Sequence, residues 1–175
     1  MLSTDYPVEA LRVLLVGDCL SERYAPLLPY RDALLAGLRL RGCRTKSDAE
    51  GLPDGAFIEL GLPDAGTVRL LRRFLTIYDP APQKFREIGK VTADPAEREA
   101  FRELYHLPGV KAVRARLYYR SGYRSIAEIA AASPEEILSK TDRAIAEHEL
   151  SCIVPLPKEV RTHIAVAKAF TWQNE

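Results

Sequence analysis

Apolar residues recur with the period of an α-helix along most of this sequence, and this periodicity constrains its fold more than any other feature. The clearest set has four residues, spaced at i, i+3, i+7 and i+10: Val68, Leu71, Leu75 and Tyr78. This spacing places them on one face of a helix near 64–79. The Asp-Pro pair at 79–80 ends the helix, because the residue before a proline is pushed out of the helical region. The pattern predicts an all-α fold.

Helix start signals occur at several further positions. Asp94 is followed by a proline and then by Glu97, three residues after the aspartate. This is the pattern of a capped first turn. The helix is predicted to run to about His106 and to bury three residues: Phe101, Leu104 and Tyr105. Ser125 and Ser133 are predicted to cap two more helices in the same way.

The two C-terminal helices each carry one apolar face. The helix after Ser133 presents five residues on that face: Ile137, Thr141, Ala144, Ile145 and His148. A last helix, after two prolines, presents five more: Val160, His163, Ile164, Ala167 and Phe170. We interpret His148 and His163 as buried structural residues, since no histidine has metal-ligand spacing to another histidine or to a cysteine. The sequence as a whole predicts about seven or eight helices.

Residues 12–18 are the one stretch that also fits a β-strand. Their sequence, Arg-Val-Leu-Leu-Val-Gly-Asp, would suit the first strand of an α/β nucleotide-binding enzyme. The alternative is a helix that begins after Asp5 and ends at Gly17. The segment after the apolar run lacks the glycine-rich patterns that cradle a phosphate. Helix and strand both stay open here, and the α/β enzyme is a third interpretation of the chain.

Composition limits the class of protein. The chain has 175 residues, of which 47% are apolar, and its 25 basic and 24 acidic residues give a net charge of +1. Any surface for a polyanion must therefore be local. Three widely spaced cysteines, Cys19, Cys43 and Cys152, indicate reduced thiols and predict a cytoplasmic protein. No basic signal-peptide region precedes the first apolar run, and no run nears the roughly 18 residues that cross a membrane.

The apolar pattern is interrupted by prolines and charged residues at 79–94. We place a domain boundary in this interval. The predicted organisation is an N-terminal helical subdomain, 1–82, and a second helical domain, 83–175.

Residues 95–131 carry the most informative motif. A predicted helix runs into a short hairpin, Leu107-Pro108-Gly109-Val110-Lys111, and a second helix begins near Ala112. Ala115 follows in that helix, Gly122 ends it, and a capped helix with Glu128 comes next. This order resembles the helix-hairpin-helix family, whose hairpin reads hydrophobic-Pro-Gly-hydrophobic-Gly and is followed by an alanine four residues later. The resemblance covers about 40 of the residues, and Lys111 stands where that family has its second glycine.

The resemblance implies a backbone-binding hairpin, and the residues supply a physical reason. The first amide N–H groups of a helix have no partner within it and lie at its positive end, so they can hold a phosphate. In the resembled family these amides contact the DNA backbone without reading bases, and a monovalent cation sometimes assists. If Lys111 needs a positive φ, the backbone is strained by about 1 kcal/mol. If its backbone is ordinary, the lysine adds a cation to the site.

The charge around the hairpin also favours a surface that binds phosphates. Residues 107–124 include no acidic residue and five basic residues: Lys111, Arg114, Arg116, Arg120 and Arg124. Tyrosines lie between these basic residues in the sequence. Cations interleaved with aromatic rings are typical of nucleic-acid surfaces. The alternative is that these arginines pair with glutamates of the preceding helix and that Tyr118 and Tyr123 belong to the core. A binding surface requires Lys111 and Arg114 to be exposed on one face.

These observations predict a non-catalytic nucleic-acid-binding protein that contacts backbone phosphates without sequence specificity. The candidate binding residues are Gly109, Val110, Lys111, Arg114, Arg120 and Arg124. The alternative function is a protein-protein interaction module on the same helical fold, and an exposed apolar patch would favour it. We find no catalytic constellation in the sequence and predict no enzyme activity, no cofactor and no metal site. The predicted partner is nucleic acid or another protein, and no membrane.

Overall fold

The computed structural model describes residues 5–16, 22–77 and 82–171. These residues cluster into two compact units, one within 5–77 and the other within 82–171. Whether each unit folds independently, as the boundary predicted at residue 82 requires, stays a prediction. The described residues form α-helices and no strand, so the predicted all-α class is confirmed. No helix among them is long and apolar enough to cross a membrane.

The unit within 5–77 packs short helices around one apolar core. In chain order its elements are α1 (Val8–Val16), a 3₁₀ helix (Glu22–Tyr30), α2 (Arg31–Leu40), α3 (Lys46–Glu50), α4 (Asp54–Glu59) and α5 (Ala65–Ile77). The 3₁₀ helix contains Pro26 and Pro29, which lack the amide hydrogen that an α-helical ladder needs. Its buried Tyr24 meets Phe74 of α5 edge to face, with ring centroids 5.5 Å apart.

Residues 12–16 are helical, so the described part of the segment 12–18 follows the helix alternative and not the strand. Their helix, α1, packs against α2, the 3₁₀ helix and α3. Leu11, Leu14 and Leu15 are buried in that contact region. The only β pairing among the described residues is one isolated bridge between Pro7 and Thr45. The α/β interpretation is therefore wrong. The predicted helix end at Gly17 and the cysteine at position 19 lie outside the described residues.

The unit within 82–171 contains the predicted motif. Its helices are α6 (Pro82–Arg86), α7 (Ile88–Val91), α8 (Pro95–Leu104), α9 (Ala112–Arg120), α10 (Ile126–Ala131), α11 (Pro134–His148) and α12 (Pro157–Thr171). The described residues thus form twelve α-helices, more than the seven or eight predicted. Helices of four to six residues, such as α3 and α7, are too short to show a period in the sequence.

Helix boundaries in this unit follow the capping residues. Asp94 accepts a hydrogen bond from the amide of Ala96. Ser125 forms a capping box with Glu128, and Ser133 caps α11. These three predicted starts are confirmed.

The two C-terminal helices follow the predicted faces with one exception. The predicted face of α12 is entirely buried. His148 is exposed in the last turn of α11, so its interpretation as a buried residue is wrong. Glu149, the residue that follows α11, has a left-handed backbone.

The hairpin, residues 105–111, joins α8 to α9, and the two helices pack against each other. Gly109 has φ +72°, which favours glycine, and Gly122 with φ +95° follows the end of α9. Ala115, in the middle of α9, is completely buried. The predicted helix–turn–helix junction is therefore present.

Ala115→Leu is expected to destabilise the fold by about 1–3 kcal/mol, because extra methylenes in a filled core force neighbouring side chains out of their rotamers. Urea denaturation of the parent and the variant measures the effect. The exposed Ala127→Leu in α10 is the control for added volume. A variant at position 115 as stable as the parent contradicts the close packing of α9.

Candidate nucleic-acid interface

The carbonyl groups of the hairpin are bonded inside the protein. The Leu107 carbonyl accepts from the amide of Val110 at 3.2 Å. The Pro108 carbonyl accepts from Nε2 of His163 on α12 at 2.8 Å. The Val110 carbonyl accepts from Nζ of Lys84 on α6 at 3.4 Å. Three carbonyls in four residues are thus fixed from different elements, which orders the loop that leads into α9.

His163 is the central member of a buried chain of hydrogen bonds. Its Nε2 must carry the hydrogen, because the Pro108 carbonyl can only accept. Its Nδ1 then accepts from the hydroxyl of Tyr118 at 2.7 Å. Both side chains are buried, and burial lowers the pKa of His163 to about 4. The imidazole is therefore neutral at physiological pH and links α12 and α9 to the hairpin.

Lys84 is a hairpin contact that sequence reasoning missed. Its ammonium group lies above the rings of Phe85 and Tyr105, at 5.7 and 5.8 Å from their centroids. Desolvation, together with repulsion from Lys111, lowers the pKa of Lys84 to about 8. An anion bound beside the two lysines would relieve that repulsion. No sequence signal pointed to Lys84, which lies 26 residues before the carbonyl that it contacts.

The start of α9 offers free amide groups. Lys111, its N-cap, has φ −130°, so its backbone is extended and unstrained. Of the two alternatives for the Lys111 backbone, the structure shows the ordinary one, and a cationic role of the side chain stays a prediction. The amides of Ala112, Val113 and Arg114 have no acceptor among the described residues. These three residues line an open groove of about 530 Å³, the hairpin groove, which Gly109, Cys152 and Glu159 also line.

Two of the five cations counted around the hairpin are paired inside the fold. Arg114 donates to both carboxylate oxygens of Glu159, at 2.8 and 3.2 Å, and to the Ile153 carbonyl. Arg116 donates to Glu97 at 3.2 Å and to the Val91 carbonyl. The side chain of Arg114 is only 18% exposed. The expectation that Arg114 is exposed beside Lys111 is therefore wrong, because a carboxylate 45 residues away neutralises it.

Of the other two arginines, Arg120 is the last residue of α9 and Arg124 follows four residues later. Arg120 and Arg124 are exposed and make no ion pair with any described residue. Their guanidinium groups lie 5.9 and 5.6 Å from the centroid of the Tyr119 ring. With a rise of 1.5 Å per residue, Arg120 lies about 13 Å along the helix from Lys111. The candidate cations thus form two groups, one at the start of α9 and one at and beyond its end, rather than a single cluster.

The remaining candidates differ in what they can offer a phosphate. Gly109 is exposed, and its amide has no acceptor among the residues described. Val110 is buried and both of its backbone polar groups are bonded, so it contributes packing rather than a free donor. Tyr118 and Tyr123 are buried, as the core alternative expected. Gly109, Lys111, Arg120 and Arg124 are the exposed members of the predicted set, and their role in binding stays a prediction.

An apolar rim borders the hairpin groove. Val113, Ile153 and Leu156 are 62%, 77% and 62% exposed. Within 82–171 they are all of the large apolar side chains that the structure shows as exposed. Val113 and Ile153 line the groove itself, and the Leu156 amide lies 3.4 Å from a carboxylate oxygen of Glu159. The groove is therefore bordered by cationic and by apolar groups.

Metal-ligating side chains are dispersed in the described part of the chain. No group of three or more histidine, cysteine, aspartate or glutamate residues there is placed to hold a metal ion. Cys43 and Cys152 are free thiols. His106 is buried against Phe85 and Phe170, and burial lowers its pKa.

Comparisons with known proteins relate part of the chain to others. Residues 99–170 match a family described as "Domain of unknown function (DUF4332)", a match that includes the hairpin and α9. A stretch of 67 residues is 39% identical to the ATP-dependent DNA helicase Hel308 of Thermoplasma acidophilum. That stretch covers 38% of this chain and 10% of the helicase. No solved structure matches the chain.

Proposed function

We propose that this protein is a non-catalytic nucleic-acid-binding protein that contacts backbone phosphates through the hairpin and α9. Lys111 and the first-turn amides of α9 form one contact, and Arg120 and Arg124 form a second. Such groups recognise phosphates, which carry no base identity, so binding is independent of sequence. The partial likeness to a DNA helicase supports the same class of ligand.

The observation that carries this proposal is the state of the hairpin backbone. Its carbonyls are bonded within the fold by Val110, His163 and Lys84. The amides at the start of α9 have no acceptor among the described residues, and the residues that carry them line the hairpin groove. A loop with bonded carbonyls and free amides, at the positive end of a helix and next to a lysine, suits an anion.

Lys111→Gln/Arg120→Gln/Arg124→Gln is expected to reduce the salt dependence of duplex DNA binding. Each lost phosphate contact changes the slope of log affinity against log salt by about 0.9, so three contacts change it by about 2.7. Fluorescence anisotropy of a labelled duplex between 50 and 200 mM salt measures the slope. The parent is expected to bind with a dissociation constant of roughly 10⁻⁴ to 10⁻⁶ M at physiological salt if contacts are non-specific.

Ala112→Pro isolates the amide contribution in the same titration. Ala112 is the first helical residue, where proline is tolerated because its fixed φ suits the helix and the lost donor had no helical partner. The variant loses one donor to a phosphate, which is expected to weaken binding about tenfold, the equivalent of 1.4 kcal/mol, without altering the salt slope. Parent-like binding by both variants, or no binding by the parent at 20 mM salt, would contradict the proposal.

A protein-protein interaction module is the second candidate, and the apolar rim favours it. Exposed apolar side chains gathered at one groove are typical of a surface that another molecule covers. The titrations above separate the two functions. If the parent binds neither duplex nor single-stranded oligonucleotides at low salt, the protein-interaction function is favoured.

A further inference from the structure

The fully exposed residues of α12 that follow Pro157 are all basic. All fifteen residues of this helix are described, and after Pro157 only three of them are exposed: Lys158, Arg161 and Lys168. Ala165, between the last two, is partly exposed. The spacing i, i+3, i+10, with the alanine at i+7, places these residues along one side of the helix. We call the three cations the α12 stripe.

A groove runs beside the α12 stripe and gives a ligand access to it. This groove has a volume of about 470 Å³ and is lined from α12 by Arg161, Ala165 and Lys168. Its opposite wall is the connection between α10 and α11, from Ala131 to Pro134. Two cations, Arg161 and Lys168, are among the described residues that line it. Alanines on both sides let a ligand approach closely.

The dimensions of the α12 stripe fit a phosphate backbone. From Lys158 to Lys168 the helix rises about 15 Å, at 1.5 Å per residue. Phosphates on one strand of a duplex advance about 3.4 Å along the axis, so this length corresponds to roughly four of them. The α12 stripe also begins beside the hairpin groove, because Lys158 precedes the Glu159 that lines that groove and pairs with Arg114.

We propose that the α12 stripe and its groove form a second phosphate-contacting surface, which binds the backbone of a nucleic acid independently of the hairpin. The inference rests on the proposed binding of nucleic acid and adds a surface to it. It commits to nucleic acid because three cations along one side of a length of helix of about 15 Å complement the charge and the length of about four phosphates of one strand.

Lys158→Gln/Arg161→Gln/Lys168→Gln is expected to weaken duplex binding at 50 mM salt by roughly tenfold or more and to reduce the salt slope by about 2.7. A charge-matched control is Lys90→Gln/Arg102→Gln/Arg143→Gln, which removes exposed cations from α7, α8 and α11. The control is expected to bind duplex DNA with an affinity within a factor of three of that of the parent. Its salt slope is expected to equal that of the parent. Circular dichroism and thermal unfolding establish that both variants are folded.

The α12 stripe variant and Ala112→Pro together distinguish failure of this inference from failure of the proposed function. A stripe variant that binds like the parent, while Ala112→Pro binds more weakly, overturns the α12 stripe alone. Equal losses in the stripe variant and in the control overturn it too, since net charge then explains both. If the stripe variant loses binding to phosphatidylserine vesicles and keeps duplex binding, the surface is for membranes and the inference is wrong. If the stripe variant loses duplex binding and Ala112→Pro binds like the parent, the result supports the α12 stripe. The same result contradicts the proposed phosphate contact at the hairpin.

Discussion

Lowering the pH from 6.5 to 4 is expected to destabilise the fold by about 3 kcal/mol through His163 alone. Burial lowers the pKa of this imidazole to about 4 in the folded state, whereas the unfolded chain has the ordinary value of 6.5. Between these values the unfolded chain binds the proton and the folded chain does not. The contribution is therefore complete above pH 6.5 and is lost as the pH falls toward 4. His106, whose pKa is also lowered, acts in the same direction.

Urea denaturation of the full chain at several values between pH 4 and pH 7 measures this dependence. His163→Gln is the informative comparison, because glutamine does not titrate and can still donate to the Pro108 carbonyl or accept from Tyr118. At pH 7 this variant is expected to lose about 2–4 kcal/mol, since one of the two buried groups stays unpaired. Its stability is expected to change less between pH 6.5 and 4 than that of the parent. The same dependence in both proteins would show that His163 is not the titrating group.

Local signals predicted the helices of the 82–171 unit well. Asp94, Ser125 and Ser133 each cap a helix through an amide two or three residues away, so the pattern and its effect lie in the same turn. The positive φ of Gly109 and Gly122 is equally local. Such features depend on neighbouring residues only, and one sequence suffices to recognise them.

The pairing of charges was not predictable in the same way. Arg114 meets Glu159 across 45 positions, and Lys84 reaches the hairpin from a helix of five residues. A count of charges between 107 and 124 cannot show which cations the fold neutralises. The α12 stripe was missed for a related reason. The three cations can be recognised as one surface only when the exposure of each residue of α12 is known.

Arg116 shows most clearly how a basic residue near the hairpin can serve the fold instead of a ligand. Its guanidinium group pairs with Glu97, which is only 5% exposed, and donates to the Val91 carbonyl. It also lies 5.8 Å from the centroid of the Phe101 ring. One side chain therefore connects α9 to α7 and α8. The cost of removing it comes mainly from the carboxylate that remains buried without a partner.

Arg116→Met is expected to destabilise the protein by about 2–4 kcal/mol, a range below that of a fully buried pair because the arginine side chain is 36% exposed and water screens it. Glu97→Leu in the Arg116→Met background is expected to recover most of this loss, since an apolar pair leaves no buried charge. A double-mutant cycle in urea measures both steps. The double variant is also expected to bind duplex DNA like the parent, because neither residue belongs to the proposed interface. A loss below 0.5 kcal/mol for Arg116→Met, on the scale of an exposed pair, would contradict its structural role. A double variant that is folded and no longer binds would place Arg116 in the interface, contrary to its pairing with Glu97.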